Sequence, residues 1–524
     1  MSVCAEQLIE SLQRPEVWPD MPSNVRLIET HISWVLLTRE FAWKIKKPVK
    51  FDFLDFSTLK RRKHFCEEEL RLNRRTAPDL YLEVVPICGD ATDPVIGGDG
   101  QPIEYAVKMR RFDDDRLLSR MVADGRLDAS QIDALAEHIA AFHASLPGIS
   151  EELPYGRADR IRDDAIDNFR TIERLAVSDE VQTGDVRHLH AWTQTAAERL
   201  ADIFEQRRAC GFVRECHGDL HLGNIVELDS GPCLFDGIEF NAGFRWSDVI
   251  SEIAFLVMDL EEHGEPRLAR RLLNRYLERT GDYAGLAVLR FYLVYRAMVR
   301  AKVDAIRLGD ASQPASQRRS LRREFGTYLA IADHDAEVPP PALIIMHGLS
   351  GSGKSHVAGQ IVENSAAIRI RSDVERKRLF GLGETERVDE AAAAELYSSA
   401  AGERTYSRLA ELARTIIESG FPAVVDAAFL ARDEREQFRR LARDLQVPFL
   451  VVACSAPESV LLERVAARER AGRDASDAGA GVLRQQLQRD TQVDDGPPDQ
   501  IVQVGTATGE STAAGLRRVL GQLE

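Results

Sequence analysis

Residues 348–355 run Gly348-Leu349-Ser350-Gly351-Ser352-Gly353-Lys354-Ser355, a complete G-x-x-x-x-G-K-S. An apolar run, Ala342-Leu343-Ile344-Ile345-Met346, comes before it, and a helical pattern, HVAGQIVEN, follows. Few patterns restrict a fold more. The glycines let backbone amides curl around a phosphate, and the next helix aims its positive N-terminal end at the same point. This half of the chain is therefore expected to be an α/β domain built on a parallel sheet. In such a loop Lys354 neutralises the β- and γ-phosphate oxygens and Ser355 ligates Mg2+, which makes residues 348–355 an ATP·Mg2+ site.

The residues after the loop suggest what is done with that nucleotide. A second strand, Ile368-Arg369-Ile370, ends at Ser372-Asp373, with Arg376 one turn later. An acid there suits a general base, so Asp373 is expected to deprotonate an acceptor hydroxyl while Arg376 holds the acceptor. The plainer role for Asp373, capping a helix over 374–380, is compatible with this. Ala423-Val424-Val425-Asp426 brings another acid to a strand end. VPFLVVAC (447–454) and IVQV (501–504) read as further strands, and the turn Gly505-Thr506 as one that could lie near a base. Between the last two strands, Glu463 to Arg473 holds Arg464, Arg468, Arg470 and Arg473. Arg464 and Arg468 fall on one helical face and suit a lid that closes on a transferring phosphate. Arg470 and Arg473 fit a solvated Glu/Arg face nearly as well.

A second chemistry lies upstream, in HGDLHLGNIVELDSGPCLFDGIE over 217–239. Asp219 is followed by Asn224, and the apolar run Cys233-Leu234-Phe235 delivers Asp236. A phosphoryl-transfer site of the protein-kinase type needs these parts in this order: an Asp to take the acceptor's proton, then an Asn and an Asp to hold Mg2+. Earlier still, NVRLIET, SWVLLT and EFAWKI (24–45) read as strands, and the third presents Lys44 as a phosphate contact. Alternation puts Lys46 on the same face. No glycine-rich loop precedes this strand, so a phosphate cover would use backbone amides or the hydroxyls of Thr30 and Ser33. Residues 57–76 read as a charged helix capped by Ser57, from which Glu67, Glu68 or Glu69 could pair Lys44. YLEVVPIC and EYAVKMRRF complete a small β-lobe, and helices follow over 128–210, 244–262, 265–279 and 284–308.

Length and composition set the outer bounds. At 524 residues the chain exceeds one core. Pro339, Pro340 and Pro341 make a stiff spacer, giving domains at 1–335 and 342–524 joined by a linker at 336–341. The net charge is −16. Residues 1–339 carry 45 Lys+Arg against 57 Asp+Glu, a net of −12; residues 340–524 carry 23 against 27, a net of −4. Such a balance disfavours non-specific polynucleotide binding. The seven cysteines form no CxxC pair, which fits a reducing compartment. With no apolar run long enough to span a bilayer and no secretory signal, a cytoplasmic protein without membrane contact is expected.

The HGDLHLGN and FDGIEF segments resemble the aminoglycoside phosphotransferase and choline-kinase-like family. That resemblance implies an α+β, two-lobed, protein-kinase-like domain over roughly residues 20–330. In it Asp219 would be the catalytic base, Asn224 and Asp236 the metal ligands, and Lys44 a contact to the nucleotide phosphates. Asp236-Gly237-Ile238-Glu239 departs from the Asp-Phe-Gly of protein kinases. GLSGSGKS, the Asp373-to-Arg376 pair, VVDAAF and the arginine helix look like the small P-loop kinases related to polynucleotide kinase and the zeta-toxin group. The whole chain is similar to bacterial bifunctional phosphotransferase/ATP-binding proteins, and no arginine-finger or sensor signature marks a ring-forming motor. The expectation is a tandem ATP- and Mg2+-dependent kinase acting on small-molecule hydroxyls, of open oligomeric state. The rival expectations are a 5′-hydroxyl nucleic-acid kinase in the second half, or one domain acting as an ATP-binding regulator of the other.

Overall fold

The computed structural model describes residues 3–51, 54–175, 183–310, 313–386, 388–471, 479–488, 493, 496–497 and 500–523. Contacts group the chain into two compact units: Met1–His263 with Tyr295–Tyr328, and Gly264–Val294 with Leu329–Glu524. Among the described residues no helix is long and apolar enough to cross a membrane.

The first unit opens with α1 (Val3–Leu12) and then strands β1 (Arg26–Glu29), β2 (Ser33–Leu37) and β3 (Phe41–Lys46). A short ladder of β4 (Lys50–Phe51) and β5 (Leu54–Asp55) leads to α2 (Leu59–Asn73), followed by β6 (Tyr81–Gly89), β7 (Pro94–Ile96) and β8 (Glu104–Arg110). The six-stranded sheet runs β1-β2-β3-β8-β6-β7, and its pairs are antiparallel. One face is apolar: Trp34, Leu36, Trp43 and Ile45 pack with Leu12 and Trp18. Since strand side chains alternate, committing Trp43 and Ile45 to that core sends Lys44 and Lys46 to the other face, towards α2. On α2 the inward stripe is Arg62, Cys66, Glu69, Leu72 and Asn73, a helical spacing that turns Glu69 in and leaves Glu67 exposed. The helix cap is Thr58, whose hydroxyl accepts from the Arg61 N–H. The expected cap, Ser57, is instead occupied with Asp55 through both its N–H and its hydroxyl.

Helices dominate the rest of this unit: α3 (Leu118–Ala123), α4 (Ala129–Ser145), α5 (Ala158–Leu175) and α6 (Thr183–Ala209). Then come β9 (Val213–Glu215), the hairpin of β10 (Ile225–Leu228) and β11 (Gly231–Leu234), α7 (Ala242–Arg245), β12 (Trp246–Asp248) and α8 (Val249–Glu262). The helix expected over 244–262 is thus interrupted. Phe244 and Arg245 end α7, Trp246–Asp248 form β12, which pairs antiparallel with β9, and Asp248 caps α8 while its carboxylate binds Arg207.

The second unit starts with α9 (Pro266–Thr280) and the first residues of α10 (Leu286–Leu308), a helix whose residues from Tyr295 onward belong to the first unit. α11 (Ala315–Ala336), whose residues up to Tyr328 belong to the first unit, precedes β13 (Leu343–His347), α12 (Lys354–Asn364), β14 (Ile368–Arg371) and α13 (Ser372–Leu379). After α14 (Glu390–Leu396) and α15 (Ser399–Glu418) come β15 (Ala423–Asp426), α16 (Arg432–Asp444), β16 (Phe449–Ser455), α17 (Glu458–Ala471), α18 (Ala480–Leu487), β17 (Ile501–Gly505) and α19 (Gly509–Leu520). The five strands are parallel in the order β14-β15-β13-β16-β17. β13 is buried along its whole length, as a central parallel strand covered on both faces must be. The sequence division at 336–341 and the compact units differ because α9 packs in this unit. Its Glu278 binds Arg369 at 3.2 Å and Arg371 at 2.9 Å, and Arg271 binds Glu363 of α12 at 2.7 Å.

Candidate active sites

In the first unit the candidate residues gather where the β10–β11 hairpin meets the sheet. Asp219 and Asn224 lie on the loop before β10, and Asp236 immediately follows β11. Gly218 makes the loop possible: its φ of 89° is left-handed, and a Cβ there would come within 3.1–3.2 Å of Phe244 and Arg245. The Gly218 N–H donates to Glu252 Oε1 at 2.7 Å, and Glu252 Oε2 lies 2.8 Å from His143 Nε2. Asn224 Nδ2 donates to Asp219 twice, to the backbone oxygen at 2.9 Å and to Oδ2 at 3.2 Å. With its amide nitrogen so committed, Asn224 is left with Oδ1 as its ligand atom. Asn224 and Asp236 therefore offer hard oxygen donors, the set that suits Mg2+.

Electrostatics hold Asp219 ionised. Burial opposes its charge, but His221, with Nε2 3.5 Å from Oδ2, His217 and Arg300 outweigh it and hold the carboxyl below the usual range. His221 Nδ1 accepts the Gly223 N–H at 3.1 Å, so the proton of the neutral ring sits on Nε2, facing Asp219.

Asp236 has a φ of 61°, which a non-glycine residue keeps only when its surroundings enforce it. Here its N–H donates to Tyr81 Oη at 3.1 Å, the next N–H to Asn73 Oδ1 at 2.8 Å, and that of Ile238 to the His217 carbonyl at 3.0 Å. Its carboxylate binds Lys44. Of the three adjacent glutamates, Glu69 takes the lysine, with Oε1 2.9 Å from Lys44 Nζ. Burial works against the Lys44 charge, yet Asp236, Glu69 and Glu239 raise its pKa well above the ordinary lysine value. Glu69 Oε2 also binds Lys46 at 2.7 Å, and Lys46 in turn binds Glu239. The Thr30 hydroxyl is consumed by its own turn, where it accepts from the Ser33 N–H at 3.0 Å and donates to the Ser33 carbonyl at 3.1 Å. The Ser33 hydroxyl is buried without a partner.

In the second unit the loop from Gly348 to Gly353 joins β13 to α12. Gly353, with φ 84°, is the helix N-cap, and a Cβ there would meet Thr506 at 3.1 Å. Lys354 Nζ donates to the carbonyls of Gly348 at 2.8 Å and Leu349 at 2.9 Å, folded back over the loop. Burial lowers its pKa, opposed by Asp426 and Asp373. The Ser350 N–H donates to Gln486 Oε1 at 2.8 Å, and Ser352 Oγ is buried without a partner. Asp373 lies in the first turn of α13, whose cap is Arg371 without a side-chain bond, so the expected N-cap role falls away. Arg376 Nη1 sits 3.9 Å from Asp373 Oδ1.

The two arginines expected to share a helical face do, and both reach the loop. Arg468 donates to Ser350 Oγ at 2.8 Å. Arg464, expected as a lid residue, binds Gly351 O at 3.3 Å, Thr506 Oγ1 at 3.0 Å and Thr506 O at 2.6 Å. Thr506 Oγ1 then donates to Ser352 O at 2.7 Å. Thr506, placed near a base from sequence, is thus a strut for the loop. Arg470 is exposed, and Arg473 lies outside the described residues. Ser355 is the second residue of α12 and Asp426 ends β15; each carries an oxygen donor of the kind a hard cation takes. Sequence reasoning gave Glu239 and Glu252 no role; it placed Lys46 on the face of Lys44 without a partner, read Thr506 only as a turn residue, and left Glu67, Glu68 and Glu69 open.

Two family models match the chain: one described as "Phosphotransferase enzyme family" over residues 57–292, and one described as "AAA domain" over 343–492. "Uncharacterized protein Rv2004c" of Mycobacterium tuberculosis is 31% identical over 465 residues, covering 88% of this chain and 90% of that protein. "Uncharacterized protein Mb2027c" of Mycobacterium bovis matches to the same extent. Among solved structures, amicoumacin kinase hAmiN in complex with AMP-PNP, Ca2+ and Ami is 13% identical, covering 63% of this chain and 94% of its own, with a TM-score of 0.39. The Mycobacterium tuberculosis APS kinase CysC in complex with AMPPNP and APS is 22% identical, covering 35% and 98%, with a TM-score of 0.26. The chain belongs to the family of the two mycobacterial proteins, and it is an ATP-dependent phosphotransferase in which a phosphotransferase-enzyme domain precedes a P-loop kinase domain.

Proposed function

We propose that both domains are active, and that each transfers the γ-phosphoryl group of ATP to a hydroxyl of a small molecule. The observation that carries this is the first site's arrangement: an ionised Asp219 bonded to Asn224, beside an Asp236 fixed by backbone bonds and by Lys44. There Asp219 accepts the acceptor's proton as its oxygen forms the new bond to the γ-phosphorus and the β–γ bridging bond breaks. Lys44 contacts the nucleotide phosphates. Asn224 and Asp236 would hold Mg2+, which supplies neutralisation of charge on the phosphoryl oxygens.

In the second site Lys354 and the amides of residues 348–353 bind the phosphates, and Ser355 would hold Mg2+. Asp373 takes the acceptor's proton and Arg376 holds the acceptor. Arg468 is placed to reach phosphate from the loop's edge, while Arg464 acts by keeping the loop in shape. Binding ATP draws Lys354 off the two carbonyls it now covers.

The test keeps the chain whole and disables one site at a time, following ATP-dependent phosphorylation of a metabolite pool. Asp219→Asn is expected to abolish one set of phosphorylated products, with a loss of about 10²-fold or more from removing the base. Lys354→Ala is expected to abolish a different set. If neither variant changes any product or nucleotide binding, the reading is wrong; if one variant removes every product, a single active site with a regulatory partner is the answer.

A further inference from the structure

The reaction so described uses Asp219, Asn224, Asp236 and Lys44 and gives no work to Lys46 and Glu239. Both are buried, with Lys46 fully so. Lys46 Nζ sits between Glu69 Oε2 and Glu239 Oε1, and the Phe56 ring covers it at 4.9 Å. Together the five side chains form one charged row, Asp236–Lys44–Glu69–Lys46–Glu239. The two lysines are neighbours on one face of β3, and the two outer acids are the ends of one tetrapeptide, Asp236-Gly237-Ile238-Glu239. The strand therefore grips that tetrapeptide at both ends. Arg245 adds a hydrogen bond from Nη1 to the Glu239 carbonyl at 3.2 Å.

Burying a charge without a partner is costly, and a buried pair offers little net stability over apolar residues of the same size. Two extra buried charges in this position call for a positional role. Lys44 at present binds both Glu69 and Asp236, and engaging a nucleotide phosphate means loosening Asp236. The backbone bonds of Asp236, Gly237 and Ile238 hold the main chain, and the grip on Glu239 adds a side-chain anchor to the tetrapeptide that remains once Lys44 lets go.

We propose that Lys46 and Glu239 are positioning residues that hold Asp236 in one metal-ready place while Lys44 changes partners. They also keep Glu69 oriented, because its second oxygen stays on Lys46. The tetrapeptide is in this way a fixed part of the first site, where the Asp-Phe-Gly segment of a protein kinase is a moving one. This inference rests on the proposed metal role of Asp236.

The test uses the full-length chain carrying Lys354→Ala, so that nucleotide binding reports the first site alone. ADP affinity is measured by calorimetry with and without Mg2+, and the thermal midpoint is recorded beside it. The double variant Lys46→Met with Glu239→Leu removes both charges at similar volume. ADP alone is expected to bind it as it binds the parent, while the gain in affinity from Mg2+ falls by about 10-fold or more, the usual cost of losing a residue that orients a metal ligand. A folded double variant with the parent's Mg2+ gain overturns the inference and leaves the pair as packing. If the double variant does not fold, Glu239→Gln decides by the same criterion, since it keeps shape and hydrogen bond and loses only the charge. Asp236→Asn separates the two levels. An unchanged Mg2+ gain there overturns the metal-site reading and this inference together, whereas an unchanged gain confined to the Lys46 and Glu239 variants overturns the inference alone.

Discussion

Asp304, on the part of α10 that belongs to the first unit, is a buried carboxyl whose Oδ2 has no hydrogen-bond partner. Burial, with Glu324 and Glu262 adding to it, pushes its pKa up to about 6 against the pull of Arg300 and Arg307. An unfolded aspartate titrates lower, so between roughly pH 4 and pH 6 the folded chain binds more protons than the unfolded one. Stability from this group is therefore complete below that window and is lost as pH rises through it. Asp304→Asn is expected to gain about 1 kcal/mol in urea unfolding at pH 7.5 relative to its effect at pH 5, after discounting for solvent screening. An equal effect at both values would mean that the carboxyl is not strained by burial. Legibility from sequence was uneven at this scale. The spacing from Asp219 to Asn224 and Asp236 pointed to a candidate site because its parts flank one hairpin. The pairing of Lys46 with Glu239, 193 residues apart, gave no signal: alternation showed which face Lys46 takes, and only tertiary packing makes Glu239 its partner.

At the scale of elements, the strands and helices that carry the sites follow from alternation and apolar spacing, and the P-loop strand and helix stand where the glycine pattern puts them. β12 escaped because Trp246-Ser247-Asp248 has too little length to show a period of two, and its pairing with β9 decides it. α9 was legible as a helix but not as a member of the P-loop unit. Its Glu278 is shared by Arg369 and Arg371 on β14, the strand that leads into Asp373, and these arginines hold the glutamate near pH 2 despite its burial. Glu278→Gln takes the carboxylate charge from Arg369 and one of two carboxylates from Arg371, which keeps Glu384 at 3.3 Å. It is expected to cost about 3 kcal/mol in the unfolding transition of this unit, read by urea titration. A fragment of residues 340–524, which lacks α9, is expected to unfold at lower urea still. An unshifted midpoint in the fragment would show that α9 adds nothing to the sheet's stability.

For the whole molecule, the linear order of two kinase domains was legible because each carries a local motif. The discontinuous units were not, since a chain that leaves one core and later re-enters it makes no mark on composition. Charge was legible in full: −16 overall and −4 over residues 340–524. Phosphate backbones are bound by releasing counterions from basic tracks, and a negative domain has little to offer them. The P-loop domain is therefore expected to leave a 5′-hydroxyl oligonucleotide unlabelled by radioactive ATP at low and at physiological salt. Labelling that falls steeply with salt would make it a nucleic-acid kinase instead.

The row of five charges also constrains how sequences of this lineage can drift. Three acids and two lysines carry a net −1. Losing Lys46 alone makes that −2 in a buried place, and losing Glu239 alone makes it zero beside Asp236, the acid proposed to receive a cation. Losing both restores the balance. Lys46 and Glu239 are thus expected to appear and vanish as a pair among descendants, each loss opening the way to the other. Glu69 has no such exit, because any replacement strands two lysines at once.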